Sequence, residues 1–336
     1  LYREFLGLLL KEESPSQIQE ALKILELFQL AELENFFGDD CIEGQKNKIQ
    51  EVLAKTNTAL IHSVILEDHT YLILQLPNGA IRRYQVSIPA QEINQKLKQW
   101  RDFLEDGTTN QYLVLSQSLY DLLIRPLESE LSQASSKSLI FINDGLLRNV
   151  PMAALYDSKN EKYLIEKYPI AISLGSNLGA RFSSEPSDEQ EVLAFGLTVS
   201  IPPFEALPNV SKETQEVAAI LGGETFLNSQ FTLESFSNSL ENNQLSIVHL
   251  ATHGKFRGMP ENSFIQAFDQ PIYLKDLEAI LSQSKTLIEL LTLSACQTAA
   301  GNERAFLGLA GLAIRSGVKS TLGSLWSIND EATVAL

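Results

Sequence analysis

The sequence predicts an α/β fold with a mostly parallel central sheet, preceded by a helical segment and a small antiparallel β meander. Three observations lead there. From about residue 138 onward, strand-length apolar runs alternate with helical patterns of about ten residues, as right-handed βαβ units do. Those runs ("SLIFIND", "EVLAFGLTV", "LSIVHLATHG", "LIELLTLSAC") are continuously apolar, as strands covered on both faces are. Ahead of them stand three β-type runs, two joined through "PNG", where Asn78-Gly79 is a strong hairpin signal.

Taken in order, residues 1 to 40 read as helical. Ser14 stands at N-cap, Pro15 at the first helical position and Gln17 at the capping-box position, while Gly38 supplies the stop. Ile18, Leu22, Leu25 and Phe28, with Leu33 and Phe37 beyond, keep helical spacing. Such a unit resembles the tail of a helical-repeat array, although one unit carries no repeated signature. The runs "ALIHSVILE", "TYLILQL" and "AIRRYQVSI" follow, then helices over ~90 to 105 and ~115 to 133. His62 and His69 fall in the β region, isolated, and read as packed or sheet-surface residues. The polar stretch 181 to 190 reads as a loop or linker. Beyond it, "KETQEVAAIL", "TLESFSNSL", "LKDLEAIL" and "FLGLAGLAIRSG" are the crossover helices, and "ETFLNS" and "VKSTLGSLWSI" add two strands. The glycines of "GLAGLAIRSG" make no phosphate loop, because they lie inside a helix pattern and no Lys-Ser/Thr follows. Gly308 and Gly311 instead allow that helix to pack closely on the sheet.

Bulk properties narrow the function classes. The 336 residues suffice for one large or two medium domains, and 44% hydrophobic with 20% charged content is ordinary for a globular protein. A formal charge of −16 argues against nucleic acid or an anionic membrane as the main partner. No apolar run approaches the ~20 residues of a membrane span. Two cysteines, Cys41 and Cys296, fit a cytoplasmic chain with no disulfide. The sequence begins at Leu1 and stops at "NDEATVAL", where a helix starts, so it reads as a segment of a longer protein, truncated at the C-terminus.

Ligands of open parallel sheets bind beyond the carboxyl ends of the strands. Two consecutive strands end in reactive residues there: "SIVHLATHG" finishes with His253-Gly254 and "ELLTLSAC" with Ala295-Cys296. A thiol needs a base or cation nearby, because the thiolate is the nucleophile and a free Cys has a pKa of roughly 8.5. His253 on the neighbouring strand end supplies one. The backbone N–H groups of Gly254 and Cys296 are candidate oxyanion donors. The competing reading makes Cys296 a small core hydrophobe. His249 shares a strand face with His253, but at ~3.3 Å per residue the two lie about 13 Å apart, too far for one metal ion. His249 is therefore expected in the core, and no metal site is expected.

These residues resemble a known family. An apolar block ending in His-Gly and another ending in Ala-Cys is the signature of the caspase-like cysteine peptidases, with caspases, separases, legumains and gingipains. More narrowly, "IVHLATHGKF", "LLTLSACQTAAG", "GLAGLAIRSGVKSTLGSLWSIND" and "INDGLLRNVPMAALYD…YLIEKYPIAISLGSNL" resemble the CHAT domain, the bacterial caspase-like domain associated with TPR repeats. The resemblance runs from about residue 55 to the end, and "ALKILELFQLAELENFF" resembles the segment joining the TPR array to that domain. It implies a caspase-like three-layer sandwich: residues 1–55 as the end of a TPR-type array, 56–190 as an N-terminal half, 191–336 as the catalytic half. It implies a cytoplasmic cysteine endopeptidase with His253 as base, Cys296 as nucleophile, Gly254 and Cys296 amides at the oxyanion, and no cofactor. Partners would be a protein or peptide substrate and a regulatory protein or the TPR repeats, with neither nucleic acid nor membrane.

In caspase-like enzymes the first specificity pocket is built from the end of the first core strand and the strand after the catalytic Cys. Here these are "FGLTVS" and "SLWSIND", which single out Thr198, Ser324, Trp326 and Asp330 as substrate-binding candidates. Asp330 either gives that pocket a negative floor or caps the helix beginning at "DEATVAL", and the capping reading is preferred. Two departures limit the resemblance: one helical unit precedes the domain, and the sequence ends soon after "LWSIND". A non-proteolytic CHAT scaffold is the alternative. An α/β-hydrolase esterase is disfavoured, because no G-x-S-x-G occurs.

Overall fold

The computed structural model describes residues 2–37, 49–175, 191–242, 246–255, 260–294, 308, 311, 312 and 315–326. They form two compact units. The first holds the described residues up to Glu32 and from Ile49 to Gly175; the second holds Leu33–Phe37 and those from Glu191 onward.

In the first unit, helices α1 (Tyr2–Lys11), α2 (Pro15–Phe37, its first part) and α3 (Ile49–Thr56) precede the sheet. Pro15 opens α2, where its missing N–H is no loss, and the Ser14 carbonyl accepts the amides of Gln17 and Ile18. The capping box read there does not close: the Ser14 hydroxyl meets the Ser16 hydroxyl at 2.8 Å, and Gln17 Oε1 has no partner. Next come β1 (Thr58–Ile65), β2 (Thr70–Gln75), β3 (Ile81–Val86), α4 (Ala90–Asp106), α5 (Gln111–Leu123), α6 (Glu128–Gln133) and β4 (Ser138–Ile142). The unit ends with the short hairpin β5 (Tyr156–Asp157) and β6 (Lys162–Tyr163), then α7 (Leu164–Lys167) and β7 (Ile170–Ile172). The sheet order is β3-β2-β1-β4-β7. The expected meander β1–β3 is thus the antiparallel end of a mixed sheet, because β1 pairs β4 in parallel and β4 pairs β7 likewise.

Strand alternation divides this sheet between two layers. Ala59, Ile61, Leu72, Leu74, Leu139 and Phe141 face the core built with α4 and α5 around Trp100 and Tyr120. Val64, Tyr71 and Ile73 face Leu6, Leu10, Ile18, Ala21, Leu22 and Leu25 of α1 and α2. The helical segment therefore covers one sheet face. At the carboxyl end of β4, Asp144 accepts both guanidinium nitrogens of Arg3, at 2.6 and 2.9 Å, and the amide of Ile65.

Two buried polar features distinguish this unit. Asp157 has no exposed side-chain surface and accepts Arg125 at 2.7 Å, Lys167 at 2.8 Å and Asn160 at 2.6 Å. Burial alone would raise its pKa, but the hydrogen bonds from Asn160, Lys167 and Arg125 outweigh it and hold the carboxyl well below the usual range. Arg125 and Lys167 also lie over the Tyr120 ring, 4.8 and 5.2 Å from its centroid. The second feature is His62 in β1, buried, with Gln75 Nε2–H donating to its Nε2 at 3.0 Å. Burial pushes this imidazole down from 6.5 to about 4.

The second unit holds β8 (Val192–Gly196), α8 (Val210–Leu221), β9 (Gly223–Leu227), α9 (Leu233–Asn242), β10 (Ile247–Ala251), α10 (Leu274–Ser282), β14 (Leu290–Ser294) and β15 (Ser320–Gly323). Between β10 and α10 lie three short strands, β11 (Gly254–Lys255), β12 (Phe264–Gln266) and β13 (Pro271–Tyr273), which form their own antiparallel sheet. The main sheet runs β15-β14-β10-β8-β9 with every pairing parallel. This is the predicted α/β class with a mostly parallel sheet. Both β8 and β10 are buried along their whole length, and Phe195 packs among Phe226, Phe231 and Phe236 at centroid distances of 4.8 to 5.3 Å. Gly308, Gly311, Leu312, Arg315 and Ser316 are helical, and the two glycines are buried. Two expectations, the Gly38 stop and the 181–190 linker, lie outside the described residues.

Two stability experiments follow from the first unit. Replacing Asp157 by Ala takes one carboxylate from Arg125 and Lys167, which both keep Glu128 while Arg125 also keeps Asp121, so chemical denaturation should read a loss of about 1–3 kcal/mol. For His62, the unfolded ring binds its proton near 6.5 and the folded ring only near 4, so the unfolded state holds more protons between those values. Its contribution is complete above pH 6.5 and is lost as pH falls toward 4, by up to roughly 3 kcal/mol. Denaturant midpoints measured from pH 7.5 to 4 should fall less steeply in His62→Gln than in the parent.

Candidate active site at the carboxyl edge of the second sheet

Gly196, Ala251 and Ser294 lie side by side at the carboxyl ends of β8, β10 and β14. In sequence order the five parallel strands stand 2-1-3-4-5, so the chain leaves β8 and β10 in opposite directions across the sheet and opens a crevice between their ends. Gly196 is required there. A Cβ on it would meet Val210 Cγ1 at 2.5 Å and Leu227 Cδ2 at 3.1 Å, so its absence lets α8 pack against the strand end.

The segment after β8 crosses this edge as a braced loop. Leu207 N–H donates to Thr198 O at 3.2 Å, Phe204 N–H to Ile201 O at 2.7 Å, and the Ser200 hydroxyl to Phe204 O at 2.7 Å. Thr198, read from the sequence as a pocket residue, is tied to Asn228: its amide donates to Asn228 Oδ1 at 2.8 Å and its hydroxyl accepts Asn228 Nδ2–H at 2.8 Å.

The loop delivers two contacts to His253, the second residue past β10. Its Nε2 lies 2.8 Å from the Glu205 carbonyl oxygen, and Phe204 lies flat on its ring, centroids 4.7 Å apart with planes 17° apart. A carbonyl only accepts, so Nε2 carries the proton and Nδ1 is the nitrogen free of one in the neutral ring. The imidazole is partly solvent-accessible. Its backbone is held from both sides: Thr252 N–H donates to Ser294 O at 3.2 Å, the Thr252 hydroxyl to Gln266 O at 2.6 Å, and Gln266 N–H to His253 O at 2.8 Å.

Those bonds fix the direction of the next amide. Gln266 N–H donates to its register partner His253 O, so the adjacent Gly254–Ile265 pair is a non-hydrogen-bonded pair. The Gly254 N–H therefore points away from β12.

His249 lies deeper in β10. It is buried and its Nε2 meets Glu213 Oε1 of α8 at 2.9 Å, a core histidine with a satisfied partner. Among the described residues no group of three or more His, Cys, Asp or Glu could hold a metal ion. Ser324 and Trp326 follow β15 and are half-buried. Cys296 and Asp330 lie outside the described residues, as does the geometry of the dyad. The strand leading toward Cys296 ends at Ser294, beside Ala251. Sequence reasoning missed Phe204, the Glu205 carbonyl and the strands β11–β13. A backbone carbonyl leaves no residue-type signature, whereas "FIQAFDQPIY" does carry β-type residues around a turn.

Replacing Gly196 by Ala tests the close approach. A methyl 2.5 Å from Val210 Cγ1 forces α8 outward, and thermal or denaturant unfolding should show a loss of about 1–3 kcal/mol.

Relatives match parts of the chain. The mouse protein "Tetratricopeptide repeat protein 28" is 27% identical over 157 residues, 41% of this chain and 6% of that protein. Its human counterpart is 26% identical over 157 residues, again 41% of the chain and 6% of the relative. The chain thus spans a small fraction of the curated relatives it matches. No helix among the described residues is long and apolar enough to cross a membrane. The CHAT domain family model matches residues 113–336, about two thirds of the sequence, and with the α/β architecture described above this chain belongs to the CHAT domain family, which is related to the caspase-like cysteine peptidases.

Proposed function

We propose that the protein is a cysteine endopeptidase that hydrolyses peptide bonds in protein or peptide substrates through His253 and Cys296. The observation that carries the reading is the state of His253. With Nε2–H given to the Glu205 carbonyl, the ring presents Nδ1 as its proton acceptor at the crevice edge where parallel sheets bind ligands.

In this mechanism His253 Nδ1 takes the Cys296 Sγ proton and the thiolate attacks the carbonyl carbon of the scissile bond. The carbonyl oxygen gains the electron pair and is met by the amides of Gly254 and Cys296. The C–N bond then breaks, His253 returns its proton to the departing amine, and a thioester is left. Water, deprotonated by the same histidine, adds to the thioester and releases the acid and the thiol. Family membership and the outward turn of the Gly254 N–H support this assignment. The first specificity pocket is assigned to the strand ends carrying Thr198, Ser324, Trp326 and Asp330, with Thr198 shaping its wall, since its hydroxyl and amide are engaged by Asn228 and its carbonyl by Leu207. Regulation is assigned to a protein partner or to TPR-type repeats, in line with the names of the relatives, and the site of action to the cytoplasm.

The test pairs activity with labelling. Cys296→Ala should abolish cleavage, read by proteome-wide N-terminal labelling of a lysate treated with either protein. Alkylation of Cys296 by iodoacetamide should slow by about 10²-fold or more in His253→Ala, the usual scale of acid–base assistance. Equal labelling with and without His253 would point to a non-proteolytic scaffold.

A further inference from the structure

The Phe204–His253 contact is used by neither the proposed chemistry nor the core. Phe204 is half-buried on the loop after β8, and its ring is the one that stacks on the imidazole, at 4.7 Å and 17°. It is not a loose side chain. Its backbone amide and carbonyl are both bonded within the loop, to Ile201 O and from the Ser200 hydroxyl. Phe264 of β12 meets Phe204 edge-on at 6.2 Å, and Tyr273 of β13 meets Phe264 in turn at 5.9 Å. An aromatic file therefore runs from the small β11–β13 sheet to the face of the candidate base.

A histidine on a strand end turns about χ1 and χ2, and a half-turn about χ2 puts Cδ2 in the place of Nδ1 and Cε1 in the place of Nε2. The hydrogen bond to Glu205 O fixes one nitrogen but permits the ring to tilt about that axis. A flat ring on a loop whose backbone is tied down, itself in edge contact with Phe264, opposes the tilt. We propose that Phe204 is a positioning residue for His253: stacked on the imidazole and in edge contact with Phe264, it holds the ring in the orientation that gives Nε2–H to Glu205 O and presents Nδ1. This rests on the reading of His253 as the base that activates Cys296. The interaction is of the size of other aromatic pairs, so its loss should slow His253-dependent steps roughly 3- to 10-fold.

Three variants separate stacking from bulk. Phe204→Leu keeps apolar volume but loses the flat face, Phe204→Tyr keeps the face, and Phe204→Ala removes both. The first measurement is the rate of Cys296 alkylation by iodoacetamide in a Cys41→Ser background. It should fall roughly 3- to 10-fold in Phe204→Leu and Phe204→Ala and recover in Phe204→Tyr. The second is the NMR signal of the His253 Cε1 proton, assigned by its loss in His253→Gln. It should lie upfield through the Phe204 ring current and move downfield in Phe204→Leu but not in Phe204→Tyr. On any cleaved peptide, the same variants should lower kcat and leave KM within about twofold.

Unchanged alkylation and an unchanged His253 signal in Phe204→Leu would overturn the proposal, even in an active peptidase. So would a loss confined to KM, which would make Phe204 a substrate contact. If alkylation proves independent of His253 itself, the dyad reading fails separately, while the NMR signal still reports whether Phe204 sets the ring.

Discussion

The hydrogen bond from His253 Nε2 to the carbonyl of Glu205 is the contact on which the candidate chemistry depends. It exists because an all-parallel sheet gathers every strand's carboxyl end on one edge, and because β8 and β10 are adjacent although α8, β9 and α9 separate them in sequence. The loop leaving β8 is then carried over the end of β10, where it meets a histidine 48 residues away in sequence. Everything nearby serves that meeting. Gly196 lets α8 approach the strand end, Asn228 anchors the start of the loop through Thr198, and Ser200 closes it on Phe204.

Beneath the edge the strand is a core element like any other. His249, two residues before the end of β10, is buried and matched by Glu213. Two histidines four residues apart in sequence thus have different lives, set by depth. One is enclosed and given a carboxylate; the other emerges past the last ladder residue and is given a carbonyl, a stacked ring and solvent. The first unit shows the opposite treatment of a strand end: Asp144, just past β4, is spent on Arg3 and the Ile65 amide.

Much of this was legible in the sequence. The continuous apolar runs marked the parallel strands, because burial on both faces leaves no polar alternation to find. The His-Gly that closes one of those runs lies just past β10, at the carboxyl edge of the parallel sheet. What the sequence could not disclose were relations between segments remote along the chain: that β1–β3 continue a mixed sheet through β4, that α1 and α2 cover one of its faces, and that Phe204 lies on His253. The β11–β13 sheet was missed because its strands of two or three residues are too short to establish a period. Thr198 shows the same limit at one residue, its role decided by Asn228, 30 positions away.

The small β11–β13 sheet has a consequence for how this region can vary. Along an antiparallel ladder, hydrogen-bonded and open pairs alternate residue by residue, and Gly254 occupies an open pair opposite Ile265. The connection between β11 and β12 can lengthen or shorten without touching that arrangement, since extra residues bulge outward. A slip of β12 by a single residue cannot be absorbed: it would turn the side chains of β12 to the other face and break the bond from Gln266 to His253. The direction of one N–H is thus fixed by the Gln266–His253 bond and indifferent to loop length.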